Sequence, residues 1–132
     1  MRYLGIDYGH KKLGLAISDE LGSFAFPYQV IPNKSPADLI AEIKKICLAE
    51  GVGEIVLGES LDLSGQANPI QADILIFKKG LESELGLPVH LEREFFTTWE
   101  AKRIIDESQT DKQTDARAAS LILKAYLDKN SR

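Results

Sequence analysis

The first eighteen residues carry the strongest constraint on the fold. Two short apolar runs, residues 2–7 and 13–18, are separated by the polar segment 8–12, which contains a glycine. Two such runs joined by a short glycine-containing segment predict a β-hairpin with a tight, charged tip. Asp7 ends the first run, so the predicted hairpin places a carboxylate where its first strand ends.

The rest of the chain alternates strand-like and helix-like segments. Further strands are predicted near residues 28–31, 54–57 and 89–91. Helices are predicted to begin at Ser35–Pro36, at Asn68–Pro69 and at Thr97, and a last one is predicted over Thr114–Leu127. A hairpin followed by strands that alternate with helices predicts an α/β fold with a mixed five-stranded sheet and flanking helices. The 132 residues fit one domain spanning 1–132.

Composition narrows the class of protein. The formal charge of −4 argues against a broadly basic surface that binds nucleic acid nonspecifically, although a local basic patch is compatible with it. The chain opens without the apolar run of a signal peptide, and no apolar run approaches the roughly 18 residues that span a bilayer. Cys47 is the single cysteine and cannot form an internal disulfide. We therefore expect a cytoplasmic protein without a membrane role.

Asp7 is the first candidate for chemistry, because aspartate is depleted inside strands and this one ends an apolar run. Its desolvation must be offset by turn amides, by Lys11 or Lys12, or by a bound cation. The alternative is an aspartate that only organises the turn.

Asp115 is the second candidate, at the start of the last predicted helix. Ala118 and Ala119 follow it, and such small side chains would let the helix approach the sheet closely enough for Asp115 to reach Asp7. The alternative is a carboxylate that only caps the helix N-terminus. Asp111 is a weaker candidate for the same position.

The third acid is left open between Glu59 and Glu94, which each follow a predicted strand near the carboxyl end where α/β sheets bind ligands. Either can also be an ordinary surface acid. Three carboxylates suit Mg²⁺ or Mn²⁺, and two such ions can activate water and stabilise a leaving oxygen on a phosphodiester. That chemistry needs no covalent nucleophile, and Cys47 lies on the predicted core face of its helix.

Basic residues near the predicted cleft are candidates for contacts with a nucleic-acid backbone, and each can equally be a solvated surface residue. These candidates are His10, Lys11, Lys12, Arg93 and Lys112.

With these features the chain resembles a known family, the YqgF/RuvX group of Holliday-junction-resolvase-like nucleases. That family is assigned to bacterial pre-16S ribosomal RNA processing. The resemblance is strongest over residues 4–19 and continues, in order, through the later segments 58–65, 85–89, 97–98 and 115–123. It implies an RNase H-like fold with Asp7, a central glutamate and Asp115 as an acidic triad.

Two segments depart from the family's pattern. Residues 93–98 keep Glu94 where the family reads Asp-Glu-Arg-Leu-Thr-Thr, but Arg93 replaces the aspartate and Phe95 the arginine. At 58–61, where the family reads Gly-Leu-Pro-Leu, this chain introduces Glu59. The hypothesis is that Glu59 takes over part of the metal binding and that Arg93 replaces the missing cation.

The favoured function is a two-metal nuclease acting on structured nucleic acid, with pre-16S rRNA as the substrate that the resemblance implies. One alternative is a degenerate member that binds rRNA or a ribosome-associated partner without cutting it, and another is a Holliday-junction DNA resolvase. A nucleotide-binding fragment is disfavoured, because a domain of this length lacks a second lobe to close over ATP. The sequence is compatible with a monomer or a homodimer.

Overall fold

The computed structural model describes residues 1–59, 70–93 and 111–130, with side chains from residue 116 onward in the last of these ranges. Five strands and three helices lie in these residues. In chain order they are β1 (Arg2–Tyr8), β2 (Lys12–Ser18), β3 (Ala25–Pro32), α1 (Pro36–Glu50), β4 (Val52–Glu59), α2 (Ile70–Leu85), β5 (Val89–Arg93) and α3 (Asp111–Asn130). None of the helices in the described ranges is long and apolar enough to cross a membrane.

The strands form one mixed sheet in the order β3-β2-β1-β4-β5. β1 pairs antiparallel with β2 and β2 with β3, whereas β4 runs parallel to both β1 and β5. The predicted opening hairpin and the mixed five-stranded sheet are therefore confirmed. Because β1, β4 and β5 run parallel, their carboxyl ends lie together along one side of the sheet. We call this side, where the three strands end, the upper edge.

Each face of the sheet has its own core. Leu4 and Ile6 of β1 pack with side chains of α1 and α2, while Ala16 and Val56 pack against α3. Side chains alternate between the faces of a strand, so Tyr3, Gly5 and Asp7 share the face covered by α3. Tyr3 packs on that second core, which confirms this assignment for β1.

Local signals explain where α1 and α2 begin and end. The Ser35 hydroxyl oxygen accepts a hydrogen bond from the Asp38 N–H at 3.3 Å, and Pro36 occupies the first helical position. Gly51 and Gly86 follow the two helices with φ of 69°, a left-handed conformation that favours glycine.

The last helix is longer than predicted. It begins at Asp111, so Asp115 lies in its second turn, and the interpretation of Asp115 as a residue that caps the helix N-terminus is wrong. The helix predicted from Thr97 lies outside the described residues.

Candidate active site

Asp7 lies near the end of β1, at the upper edge of the sheet, and is half-buried. With Gly9, His10, Lys11 and Lys12 it lines an open cleft of about 330 Å³. His10 and Lys11 are exposed, and Lys12 is half-buried at the start of β2. The hairpin thus brings one carboxylate and three residues able to carry positive charge to the same cleft.

The turn that shapes this cleft is held in place by a close backbone contact and by hydrogen bonds from Asn33. A Cβ atom on Gly9 would lie only 2.6 Å from the carbonyl oxygen of Lys12, so the turn requires glycine there. Asn33 donates from its Nδ2 to the Gly9 carbonyl at 2.7 Å, and its backbone N–H donates to the Lys11 carbonyl at 2.8 Å. These contacts restrict the movement of the cleft wall.

α3 approaches β1 unusually closely at Gly5. A Cβ atom placed on Gly5 would lie 2.8 Å from the Leu123 Cβ and 3.1 Å from the Ala119 carbonyl oxygen. Ala119 is fully buried, and Ala118 is nearly so. The close approach predicted from these small side chains is confirmed. It also requires Gly5 on the strand, which has no side chain at the point of contact.

The contacts along α3 also establish its direction. The Tyr126 ring lies 6.1 Å from that of Tyr3, while Ala119 and Leu123 lie over Gly5. Lower residue numbers on α3 therefore lie over higher residue numbers on β1. α3 runs antiparallel to β1, and its N-terminal half points toward the upper edge, where Asp7 lies.

Glu59 is the last residue of β4 and pairs in register with Arg93 of β5. Ile55 and Leu57 belong to the core formed with α1 and α2, whereas Val56 belongs to the core under α3. Strand alternation therefore directs Glu59 to the α1–α2 face, opposite to Asp7. Arg93 is exposed and, by the same alternation, shares the face of Glu59.

Four candidate site residues, Glu94, Asp111, Lys112 and Asp115, have side chains beyond the described part of the chain. Glu94 follows the last described residue of β5, while Lys112 and Asp115 belong to the first five residues of α3. Among the side chains that the structure describes, no three of the metal-binding types come together.

Sequence reasoning missed a buried acid, Glu92. Its side chain is 6% exposed, and its carboxylate forms an ion pair with Lys129 Nζ at 2.8 Å. Glu92 is in register with Gly58 of β4, and His90, two residues earlier, packs against α3, so Glu92 lies on the same face as Asp7. The signal was the alternation of Val89 and Leu91 with polar residues, but the partner lies 37 residues away in sequence.

A second polar cluster holds the C-terminal half of α3 on the sheet. His90 Nε2 lies 2.5 Å from Glu54 Oε1, and the His90 ring stacks on Tyr126 with a centroid distance of 5.0 Å. Burial raises the pKa of the Tyr126 hydroxyl, and the Glu54 carboxylate raises it further. With Tyr3 from β1, these side chains link three strands to α3.

Solved structures of other proteins share this fold. RuvC of Thermus thermophilus in complex with a Holliday junction substrate aligns with a TM-score of 0.62 at 14% identity, covering 99% of this chain and 96% of that one. The fowlpox virus Holliday junction resolvase aligns with a TM-score of 0.58 at 15% identity, covering 98% and 99%. The protein has the RNase H-like fold of these resolvases.

Sequence comparison defines the family. The model of the RuvX family, described as Holliday junction resolvase, matches residues 1–129. A relative from Maridesulfovibrio salexigens, named "Putative pre-16S rRNA nuclease", is 35% identical over 132 residues, covering 96% of this chain and 98% of that protein. The chain belongs to the RuvX family, as its resemblance indicated.

Proposed function

We propose that this protein is a metal-dependent nuclease that hydrolyses phosphodiester bonds at the upper edge of its sheet. The observation that carries the proposal is the antiparallel approach of α3 to β1 at Gly5. From Gly5 to Asp7 the strand rises about 7 Å. From Ala119 back to Asp115 the helix covers about 6 Å in the same direction. From these rises we expect the backbone of Asp115 to lie at the level of Asp7, which supports the proposal of a shared metal site.

The acidic donors suit hard divalent cations, and we propose Mg²⁺ or Mn²⁺ held by Asp7, Asp115 and a third carboxylate. Two such ions, when bound, would activate a water and stabilise the leaving oxygen. Asp7 is suited to hold them because it is half-buried on a paired strand, which restricts its position.

Glu94 is favoured over Glu59 as the third acid. Glu59 lies on the sheet face opposite to Asp7 by strand alternation, whereas Glu94 follows a strand whose residue Glu92 shares the face of Asp7. A part for Glu59 in metal binding would require its carboxylate to reach around the end of β4. Comparing how much cleavage is lost when Glu59 or Glu94 is substituted would show which of the two is the third acid.

The proposed substrate is structured nucleic acid. The precursor of 16S rRNA is favoured because the relatives are named "Putative pre-16S rRNA nuclease". His10, Lys11 and Lys12 surround Asp7 in the cleft and can contact phosphate oxygens, which is the commonest kind of contact to nucleic acid. We propose that Arg93 and Lys112 extend this surface. Such a substrate places the protein in the cytoplasm.

A second candidate function is cleavage of branched DNA, because the structural relatives include a resolvase bound to a Holliday junction. The test is cleavage of a precursor 16S rRNA and a four-way DNA junction in parallel, with Mg²⁺ or Mn²⁺. We expect metal-dependent cleavage of the RNA that Asp7→Asn abolishes. Binding of RNA without cleavage by the wild type would instead indicate a degenerate family member, and cleavage of the junction alone would indicate a DNA resolvase.

A further inference from the structure

A second cavity lies at the upper edge of the sheet, on the face opposite to Asp7. It has a volume of about 190 Å³ and lies between α1, α2 and the end of β1. Most of its lining residues are apolar or aromatic, and we call its three polar lining residues the rim. The wall residues are Tyr8, Pro36, Leu39, Ile40 and Phe77, and the rim residues are Asn33, Lys34 and Asp73.

The two aromatic side chains of the wall pack against each other. The rings of Tyr8 and Phe77 lie 5.3 Å apart at an angle of 46°, and Phe77 is 5% exposed. Gly80 lets α2 approach α1, because a Cβ atom there would lie 2.7 Å from Ile40 Cδ1. The cavity is therefore a formed feature of the packing between these helices.

The cavity adjoins the proposed active site. Tyr8 lines it, and Asp7, the preceding residue, lines the cleft on the other face. Asn33 on the rim also donates to the Gly9 carbonyl, so one residue borders the cavity and supports the wall of the cleft. A polynucleotide strand that crosses this sheet edge would contact both sites.

Two charged side chains of the rim, those of Lys34 and Asp73, can contact different parts of a nucleotide. Lys34 is 43% exposed and forms an ion pair with Glu42 at 2.8 Å, a surface contact that a phosphate can replace at little cost. Asp73 is exposed on α2 and its carboxylate only accepts hydrogen bonds. Among the four bases, guanine presents two adjacent N–H donors on its Watson–Crick edge, which match a carboxylate.

We propose that this cavity binds an unstacked guanine base of the substrate strand, close to the phosphodiester bond that is cut. The base contacts Tyr8 and Phe77, Asp73 accepts from its edge, and Lys34 contacts its phosphate. Aromatic contact with single-stranded bases is a general mode of RNA recognition. The inference rests on the proposed nuclease function and adds to it a preference for a particular base.

The test measures binding separately from cleavage. Short uridine RNAs carrying one central guanosine, inosine or abasic nucleotide are titrated by fluorescence anisotropy with Ca²⁺ in place of Mg²⁺. We expect the abasic RNA to bind about tenfold more weakly than the guanosine RNA, because it lacks the base that contacts the aromatic wall. Inosine lacks the exocyclic amino group and should bind about threefold more weakly.

Variants assign these effects to the cavity. Asp73→Asn should remove the difference between guanosine and inosine, and Lys34→Gln should weaken all three RNAs equally. Glu84→Gln, a change at another exposed acid of α2, should leave both patterns intact. Equal binding of the guanosine and abasic RNAs, or a guanosine preference that survives Asp73→Asn, would overturn the proposal. Guanosine-selective binding, together with no cleavage of the precursor 16S rRNA in Mg²⁺ or Mn²⁺, would leave this site standing and reject the nuclease function.

Discussion

Substitution of Gly5 by alanine tests the contact that aligns α3 with β1. The new Cβ would lie 2.8 Å from the Leu123 Cβ, whereas carbon atoms normally pack at about 3.5–4.0 Å. α3 must therefore move away by about 1 Å, because neither Cβ can rotate out of the way. Overpacking of this kind costs roughly 1–3 kcal/mol.

This cost is large enough to measure. For a domain of 132 residues, 2 kcal/mol corresponds to a decrease in Tm of about 7 °C. Cleavage should fall further than stability does, because a displacement of about 1 Å in catalytic groups can cost roughly a hundredfold in rate. Urea unfolding gives the first quantity, and kcat/KM well below the Tm gives the second.

Gly80→Ala is the matched control. Its new Cβ would lie 2.7 Å from an Ile40 side-chain carbon, which is equally short, but that atom ends a flexible side chain and lies between α1 and α2. Helix propensity also favours alanine over glycine there by about 1 kcal/mol. We expect Gly80→Ala to be close to neutral in the free energy of unfolding. If Gly5→Ala left both the free energy of unfolding and kcat/KM unchanged, the close approach of α3 would not position the site.

Three further predictions concern single residues. Glu94→Gln should reduce Mn²⁺-dependent cleavage more than Glu59→Gln does; the reverse order would favour Glu59 as the third acid. Burial raises the pKa of the Cys47 thiol to about 11, so the folded protein keeps a proton that the unfolded chain loses between about pH 9 and 11. The free energy of unfolding should then fall more steeply across that range in the wild type than in Cys47→Ala, and parallel urea series would contradict this. Ser35→Ala removes the side chain that accepts from the Asp38 N–H and should cost about 1 kcal/mol in urea unfolding; an unchanged midpoint would show that this cap contributes nothing.

The fold was largely predictable because its signals are local. The hairpin of β1 and β2, and the start of α1 at Pro36, follow from turn and capping residues in the chain. Strand lengths were underestimated where pairing overrides local composition. β4 extends over Val52–Glu59 through two glycines because it is paired on both sides, and β3 begins at Ala25 and includes Pro27, which the edge of a sheet tolerates.

The site was predictable only in part. Asp7 stands out because an acid in an apolar strand must be compensated, which is a local argument. The face on which Glu59 lies could not be determined, because it depends on the register of β4 between β1 and β5. The ion pair of Glu92 with Lys129 joins two elements far apart in the chain, and no local pattern predicts such a contact.

Asp7 and Asp115, from opposite ends of the chain, are proposed to hold divalent ions together. Titration with Mn²⁺ followed by electron paramagnetic resonance counts the ions bound to each protein. We expect two bound ions in the wild type and the loss of at least one in Asp7→Asn and in Asp115→Asn alike. Undiminished binding in both variants, with their fold intact by circular dichroism, would contradict it.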